Sequence, residues 1–341
     1  MKNLTSLALL LPLLLSLAGP AAAAKPGLDI YFIDVEGGQA TLLVTPKKES
    51  LLVDAGWPGF NGRDADRIAA AAKKAGLKQI DYLMITHYHT DHVGGVEQIA
   101  AKIPVGTFVD HGKNMETGPG PERLSASYEK AMGKAKHLVL KPGDRIPFKE
   151  MEVTAVSANG ELIGKNLTGG GAPNALCAAA PKKNDDPTEN ARSLGVHVRY
   201  GKFRFLDLGD LTWNKELELV CPNNRVGKVD VYLTTHHGMD ASGPAAIVHS
   251  LAPRVAIMNN GAKKGGAAPA WQAVKASPGL EDLWQVHFAL AGGKENNVAE
   301  EMIANVDEKC QGFGLMVSAA KTGAFSVTNE RNGKTKQYAA R

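Results

Sequence analysis

Apolar residues in the first part of the chain come in short, nearly continuous runs. Leu28–Val35, Ala40–Thr45 and Ser50–Val53 are rich in Leu, Ile, Val and Thr and are separated by Gly and Pro turns, which predicts short strands. The pattern then changes. Ala65–Ala75 reads as an Ala-rich helix, with Asp64 or Asn61 near its N-terminus and Gly76 as its stop. Ile80–Ile85 is a buried strand, Gly95–Ala101 a short helix and Gly106–Val109 the next strand.

After Lys141-Pro142-Gly143-Asp144 the order starts again. A second strand-rich stretch leads into a hairpin, Ser193–Tyr200 and Phe203–Leu208, turned at Gly201-Lys202. Val229–Leu233 and Arg254–Met258 follow as buried strands with helical material between and after them. Strand-rich, then alternating, then the same again predicts an α/β (α+β) architecture: a four-layer αβ/βα sandwich whose two halves meet at the functional site. Two long Gly/Pro-rich stretches interrupt it, Gly112–Lys136 and Ala158–Asn190. Connections of that length are either functional or disordered. At least one is expected to line a substrate site as a lid, and for 164–186 an unstructured insertion is an equal alternative.

The N-terminus adds a leader. Lys2, the apolar run Leu7–Leu17 and the small residues Pro20–Ala24 read as a secretory signal peptide, 1–24, cut before Lys25. The apolar run is too short to span a bilayer comfortably, and no later segment is apolar for long enough to do so. The expectation is an exported protein, periplasmic or secreted, with one large domain over 25–341. The formal net charge of +4 in 341 residues does not mark a nucleic-acid binder, although Lys182-Lys183 and Lys263-Lys264 are candidate local patches. Three cysteines (Cys177, Cys221, Cys310) are an odd number for an oxidising compartment; none has a metal-ligand spacing, and the sequence does not choose a pair.

The chemistry concentrates after Ile80–Ile85, in Thr86-His87-Tyr88-His89-Thr90-Asp91-His92. In an extended loop, side chains at i and i+2 point the same way, so His87 and His89 suit one ion. Asp91 and His92 fall on the next turn, offset towards a second. Burying four such side chains without a metal is costly.

His-x-His-x-Asp-His is the signature of the metallo-β-lactamase-like hydrolases, and the resemblance extends along essentially the whole mature chain. Leu51-Leu52-Val53-Asp54-Ala55-Gly56 resembles that family's early strand and turn, and Leu206-Asp207-Leu208-Gly209-Asp210 the strand leading to a metal-bridging Asp. Val231–Leu233 followed by Thr234-Thr235-His236-His237-Gly238 resembles the late strand that delivers the last His ligand. Within the superfamily the chain is most similar to the soluble hydrolase domain of the bacterial DNA-uptake channel protein. Its loop Asp34-Val35-Glu36-Gly37-Gly38-Gln39 departs from that relative's by lacking a second acid, and no membrane channel is present.

The resemblance implies a ligand set of His87, His89, Asp91, His92, Asp210 and His236, with Asp91 and Asp210 also catalytic. His236 is favoured over His237 because it directly follows the strand; His237 is then left to the substrate. Asp54 and Asp34 are expected to hold ligand histidines through hydrogen bonds. Counting from the hairpin turn sets Asp210 opposite Ser193 and His197 opposite Leu206, roughly 13 Å along the strand from Asp210, so His197 is not a ligand. Asn190 and Ser193 match the Asn-x-x-Ser pattern of the DNA-uptake relatives. His111 follows a strand expected to run parallel to Ile80–Ile85, which sets it beside His87 as either a third ligand or a loop residue. His137, His249 and His287 follow no ligand spacing.

The implied chemistry is hydrolysis by two zinc ions that share Asp210 and generate a hydroxide at neutral pH. Phosphodiester or phosphate-ester substrates are the leading reading, with nucleic acid entering only as substrate. The alternatives are lactone, carboxylic-ester or β-lactam hydrolysis and, outside enzymes, a metal-dependent binding or sensing protein.

Overall fold

The apolar runs near the N-terminus become strands whose alternate side chains enter two different cores. In Ser50–Val53, Leu51 and Val53 point into one core and Leu52 into another; Ile30 and Phe32 separate from Tyr31 in the same way. Strands covered on both faces have no polar side to show, which is why these runs are nearly continuous rather than alternating. The computed structural model describes residues 27–341, so the leader 1–24 and its cleavage before Lys25 lie outside the described residues.

The first sheet runs in the order Thr335–Tyr338, Phe325–Asn329, Leu315–Ala319, Leu28–Phe32, Thr41–Val44, Ser50–Val53, Ile80–Met84, Val105–Asp110, Lys136–Val139. Its last four strands are parallel to one another. The second sheet runs Ile303–Asn305, Asp282–His287, Val255–Met258, Val231–Leu233, Phe203–Asp207, Gly195–Tyr200, Glu152–Ala158, Arg145–Ile146, with parallel pairing from Ile303–Asn305 to Phe203–Asp207. One core joins the two sheets, from Ile30, Leu51 and Val109 on one side to Val196, Phe205, Ile257 and Trp284 on the other. A second fills the space between the first sheet and helices Arg63–Lys74, Val96–Ala100 and Pro119–Met132; a third lies between the second sheet and helices Trp213–Val220, Ala245–Leu251 and Ala268–Lys275. Helix, sheet, sheet, helix: the predicted four-layer αβ/βα sandwich is the observed one. Among the described residues no helix is long and apolar enough to cross a membrane.

The parallel strands of both sheets end at one rim, where ligands gather in open α/β sheets. The hairpin register places Tyr200 opposite Phe203 and His197 opposite Leu206, as counted from the turn. His197 is buried in the sheet, and burial together with Arg204 and Arg199 lowers its pKa to about 4.

Two stretches read as loops have more structure than expected. Gly112–Lys136 contains the helix Pro119–Met132, whose Tyr128 is buried. Gly118-Pro119-Gly120-Pro121 looks like a breaker, yet both prolines sit in the helix's first turn, where an N–H has no intrahelical partner to lose. Ala158–Asn190 is irregular but anchored: Glu161–Leu162 pairs with Glu152–Ala158, Ala172–Pro173 pairs with Asn223–Asn224, and a disulfide joins Cys177 to Cys221. Cys310 is the free thiol.

Candidate metal centre

The turn after Ile80–Met84 carries His87 and then His89, the latter in extended backbone, and enters the single helical turn Thr90–Val93 that holds Asp91 and His92. The second half delivers Asp210 just beyond Phe203–Asp207, and His236 and His237 just beyond Val231–Leu233. The halves meet closely here. Gly209 has φ of 55°, and a Cβ on it would lie 2.7 Å from that of Thr86, so a larger residue would force them apart.

Four side chains converge: the donor atoms of Asp91, His92, Asp210 and His237 lie within 4.8 Å of one another, and all four residues are buried. His92 Nε2 is 3.2 Å from Asp91 Oδ2 and 3.2 Å from Asp210 Oδ2. His237 Nε2 is 3.3 Å from Asp91 Oδ2, 3.3 Å from Asp210 Oδ1 and 3.3 Å from His92 Nε2. Around a tetrahedral zinc with bonds of ~2.0–2.1 Å, neighbouring donors stand ~3.3 Å apart. The separations fit a small divalent ion, and the imidazole and carboxylate donor set fits zinc.

The same Asp210 Oδ2 also lies 3.3 Å from His236 Nε2 and 3.9 Å from His87 Nε2. His87 Nε2 and Asp210 Oδ1 are buried with no hydrogen-bond partner, an expensive arrangement unless a cation serves them. The His87 and His89 rings stand 4.6 Å apart.

Hydrogen bonds behind the donors set which nitrogen faces in. Asp54 Oδ2 is 2.7 Å from His92 Nδ1, so the imidazole donates there and turns Nε2 to the cluster. The same carboxylate takes the Thr86 amide and hydroxyl, each at 2.8 Å, and Thr86 Oγ1 is 3.0 Å from His87 Nδ1. His89 is reversed: its Nε2 meets Glu116 Oε1 at 3.1 Å, which leaves Nδ1 free. Asp210 takes its position in part from Ser193, whose Oγ accepts its amide at 3.2 Å. Burial works against every charge here, but the charges outweigh it. His92, His237 and His236 hold Asp210 well below the usual carboxylate range, His92 and His237 do the same for Asp91, and Asp210, Asp91 and Asp54 raise His92 well above an ordinary imidazole. His87, dominated by burial and the neighbouring His92, is lowered.

Three placements differ from the sequence reading. His237 as well as His236 reaches Asp210, and His237 rather than His236 joins the four-residue cluster. The cause is local: both residues have φ of 56°, and two successive left-handed residues swing the second imidazole inward. His111 does leave a strand parallel to Ile80–Met84, but its Nε2 is taken by the buried carboxylate of Glu189 at 3.0 Å, while its Nδ1 is buried with no hydrogen-bond partner. Asp34 holds no ligand histidine; it pairs with Arg67, His287 and Cys310 in a separate buried group. Asn190 offers Ser193 a backbone oxygen, and its side-chain Oδ1 has no partner.

Sequence reasoning missed Glu116, Glu189 and Thr86. Glu116 also accepts the amide of Glu189, which in turn takes the amides of Met115 and Tyr88, so these two acids knit the loop after His111 to the histidine turn. Only their position in a Gly/Pro-rich stretch beside the motif pointed to them.

The profile of the metallo-β-lactamase superfamily matches residues 34–174, and over that span the chain resembles members of that superfamily. ComE operon protein 3 of Bacillus subtilis is 26% identical over 189 residues, 54% of this chain but 20% of that protein, so the match spans about a fifth of the relative's length. Among solved structures, Tm1679, a metal-dependent hydrolase of the β-lactamase superfamily, is 16% identical with a TM-score of 0.44, covering 76% of this chain and 95% of its own. CmlA, a diiron β-hydroxylase from Streptomyces venezuelae, is 18% identical with a TM-score of 0.40, covering 73% of this chain and 47% of its own.

Proposed function

We propose that this protein is an exported, zinc-dependent hydrolase of phosphodiester or phosphate-ester bonds, with two ions per chain held in one domain over 25–341. The observation that carries it is the set of donor separations of 3.2–3.3 Å among Asp91, His92, Asp210 and His237. Asp91, His92, Asp210 and His237 would hold one ion; His87, His89, Asp210 and His236 would hold the other. Bound zinc lowers the pKa of a coordinated water towards ~7 and neutralises charge developing on the substrate.

The chain's own residues supply the rest. Asp91, kept ionised by His92 and His237, would accept a hydrogen bond at its carboxylate and so orient the donor. Asp54 and Glu116 fix the tautomers of His92 and His89. Asp210, buried, spans the two groups of histidines and is steadied by Ser193. No Ser or Cys nucleophile is required. Support for a phosphorus ester comes from the resemblance of the His236-His237-Gly238 turn to that of the DNA-uptake channel's hydrolase domain. Export is supported by the leader pattern and by the Cys177–Cys221 disulfide, which persists in oxidising compartments.

The test is a zinc-loaded panel: an aryl phosphodiester, single-stranded DNA, a lactone and a β-lactam. Turnover of the first or second is expected. Turnover of the lactone or β-lactam alone would overturn the phosphodiester reading, and no turnover of any ester would favour a binding or sensing protein. N-terminal sequencing of exported material is expected to begin at or near Lys25; a mature chain retaining Met1 would overturn export by this leader.

A further inference from the structure

Lys263 and Lys264 are adjacent in sequence and opposite in the fold. Lys263 is 74% exposed and paired with Glu308, an ordinary surface contact. Lys264 turns inward, its side chain 29% exposed, and its ammonium ion-pairs with Asp91 Oδ2, the same oxygen that faces His92 and His237. The turn that carries it is tied to the centre. Gly261 donates to the Lys264 carbonyl at 2.8 Å, Gly266 to the His237 carbonyl at 3.0 Å and Ala267 to the Gly238 carbonyl at 2.9 Å. Its aliphatic stem passes close to Gly37, where an added Cβ would stand 2.9 Å from that of Lys264, and the ammonium lies 5.2 Å from the centre of the Trp57 ring.

Other cations near this mouth are committed elsewhere. Arg63 pairs with Asp64 and Glu36, and Arg67 with Asp34 and Glu36. Among the described residues, Lys264 meets one carboxylate, and that carboxylate belongs to the centre. A divalent ion on Asp91 carries twice the charge of an ammonium and takes the same oxygen, so metal binding dissolves this ion pair. The ammonium would then stand at the edge of the centre with donors to spare, on a turn tied to the His237 and Gly238 carbonyls.

We propose that Lys264 is the anion-binding residue of this site: a counter-ion to Asp91 without metal, and with metal the group that binds a negatively charged oxygen of the substrate. The proposal rests on the metal-centre reading above and deepens it, because it selects substrates that are already anionic, such as phosphodiesters, over neutral esters and lactones. A point charge on a flexible stem suits a phosphate oxygen, and the Trp57 ring keeps its approach apolar.

Lys264→Gln and Lys264→Arg separate the two roles. Zinc titration into the metal-free protein reads the first. The Gln variant is expected to bind zinc at least as tightly as wild type, since no resident cation must leave Asp91. Inorganic phosphate binding to the zinc-loaded protein reads the second. Loss of a charge-assisted hydrogen bond predicts affinity about tenfold or more weaker in the Gln variant, largely restored by Arg. KM for an aryl phosphodiester should rise by a similar factor while that for a neutral aryl ester stays within about twofold. Equal phosphate affinity in Gln and wild type, or no phosphate binding by zinc-loaded wild type, would overturn the role. A fall in zinc affinity matching the fall in phosphate affinity would make Lys264 a structural partner of Asp91 instead. If neither ester is turned over, the hydrolase reading fails, while the zinc and phosphate titrations still decide Lys264.

Discussion

Asp210 divides the centre into two sides that are built to different standards. On one side Asp91, His92 and His237 are buried, already at ligand spacing, and backed by the buried carboxylate of Asp54. On the other, His87 Nε2 stands 3.9 Å from Asp210, and the His89 side chain is 28% exposed and steadied by a Glu116 that is 29% exposed. A buried, preformed donor set loses little freedom on binding an ion, whereas a set with one partly exposed member, His89, must order that side chain as it binds. The difference teaches that two ions sharing one carboxylate need not be held alike: the Asp91 side should bind first and release last.

The largest effect should follow from removing what the sides share. Asp210→Ala is expected to abolish zinc binding on both sides, measured by metal analysis after dialysis. It should also lower thermal stability, because the stabilisation that bound zinc gives the folded state is lost with the ions. Full zinc content in this variant would break the comparison at its root. Next come variants that act on one side only. His92→Ala should lose the tightly held ion and much of the metal-linked stability. His89→Ala should drop the stoichiometry from two towards one at little cost in melting temperature. Equal losses from the two would mean that the sides do not differ.

How much of this was legible depended on the range over which each feature is encoded. The His87–His92 spacing is local, and so is the hairpin register, since the turn at Gly201-Lys202 fixes every pair behind it and brings the Asp210 amide to Ser193. The four-layer order was legible too, because alternating strand-rich and helical stretches reflect which faces must be covered. The closing of the first sheet was not: Leu28 pairs with Ala319, and nothing in either segment announces the other. The inward turn of His237 was not legible, because a pair of left-handed residues follows from the turn they must make, not from their type. Glu116, Glu189 and the inward face of Lys264 lie on connections whose course is set by the packing beneath them. An exposed-looking acid in such a stretch carries no sign of its partner.

Glu116→Gln sharpens the comparison without removing a ligand. If Glu116 holds the His89 tautomer, the weaker ion should bind about 10–100-fold less tightly while the tighter one is unaffected, as competition with a chelator can resolve.

The smallest effect on metal is expected at His111. Its Nε2 bonds to Glu189 at 3.0 Å and its ring meets the edge of Tyr88 at 5.4 Å, so its contacts support the loop rather than an ion. His111→Ala removes one of three hydrogen bonds to the buried carboxylate of Glu189, and losing a hydrogen bond to a charged group costs about 1.5–3 kcal/mol, so the protein should melt earlier. Zinc titration of the same variant should give two ions with the tighter affinity unchanged and the weaker lowered less than in Glu116→Gln, because Glu189 reaches His89 only through Glu116. A loss of one ion with little change in stability would return His111 to the ligand shell, and would show that the weaker side gains a third imidazole when metal is present.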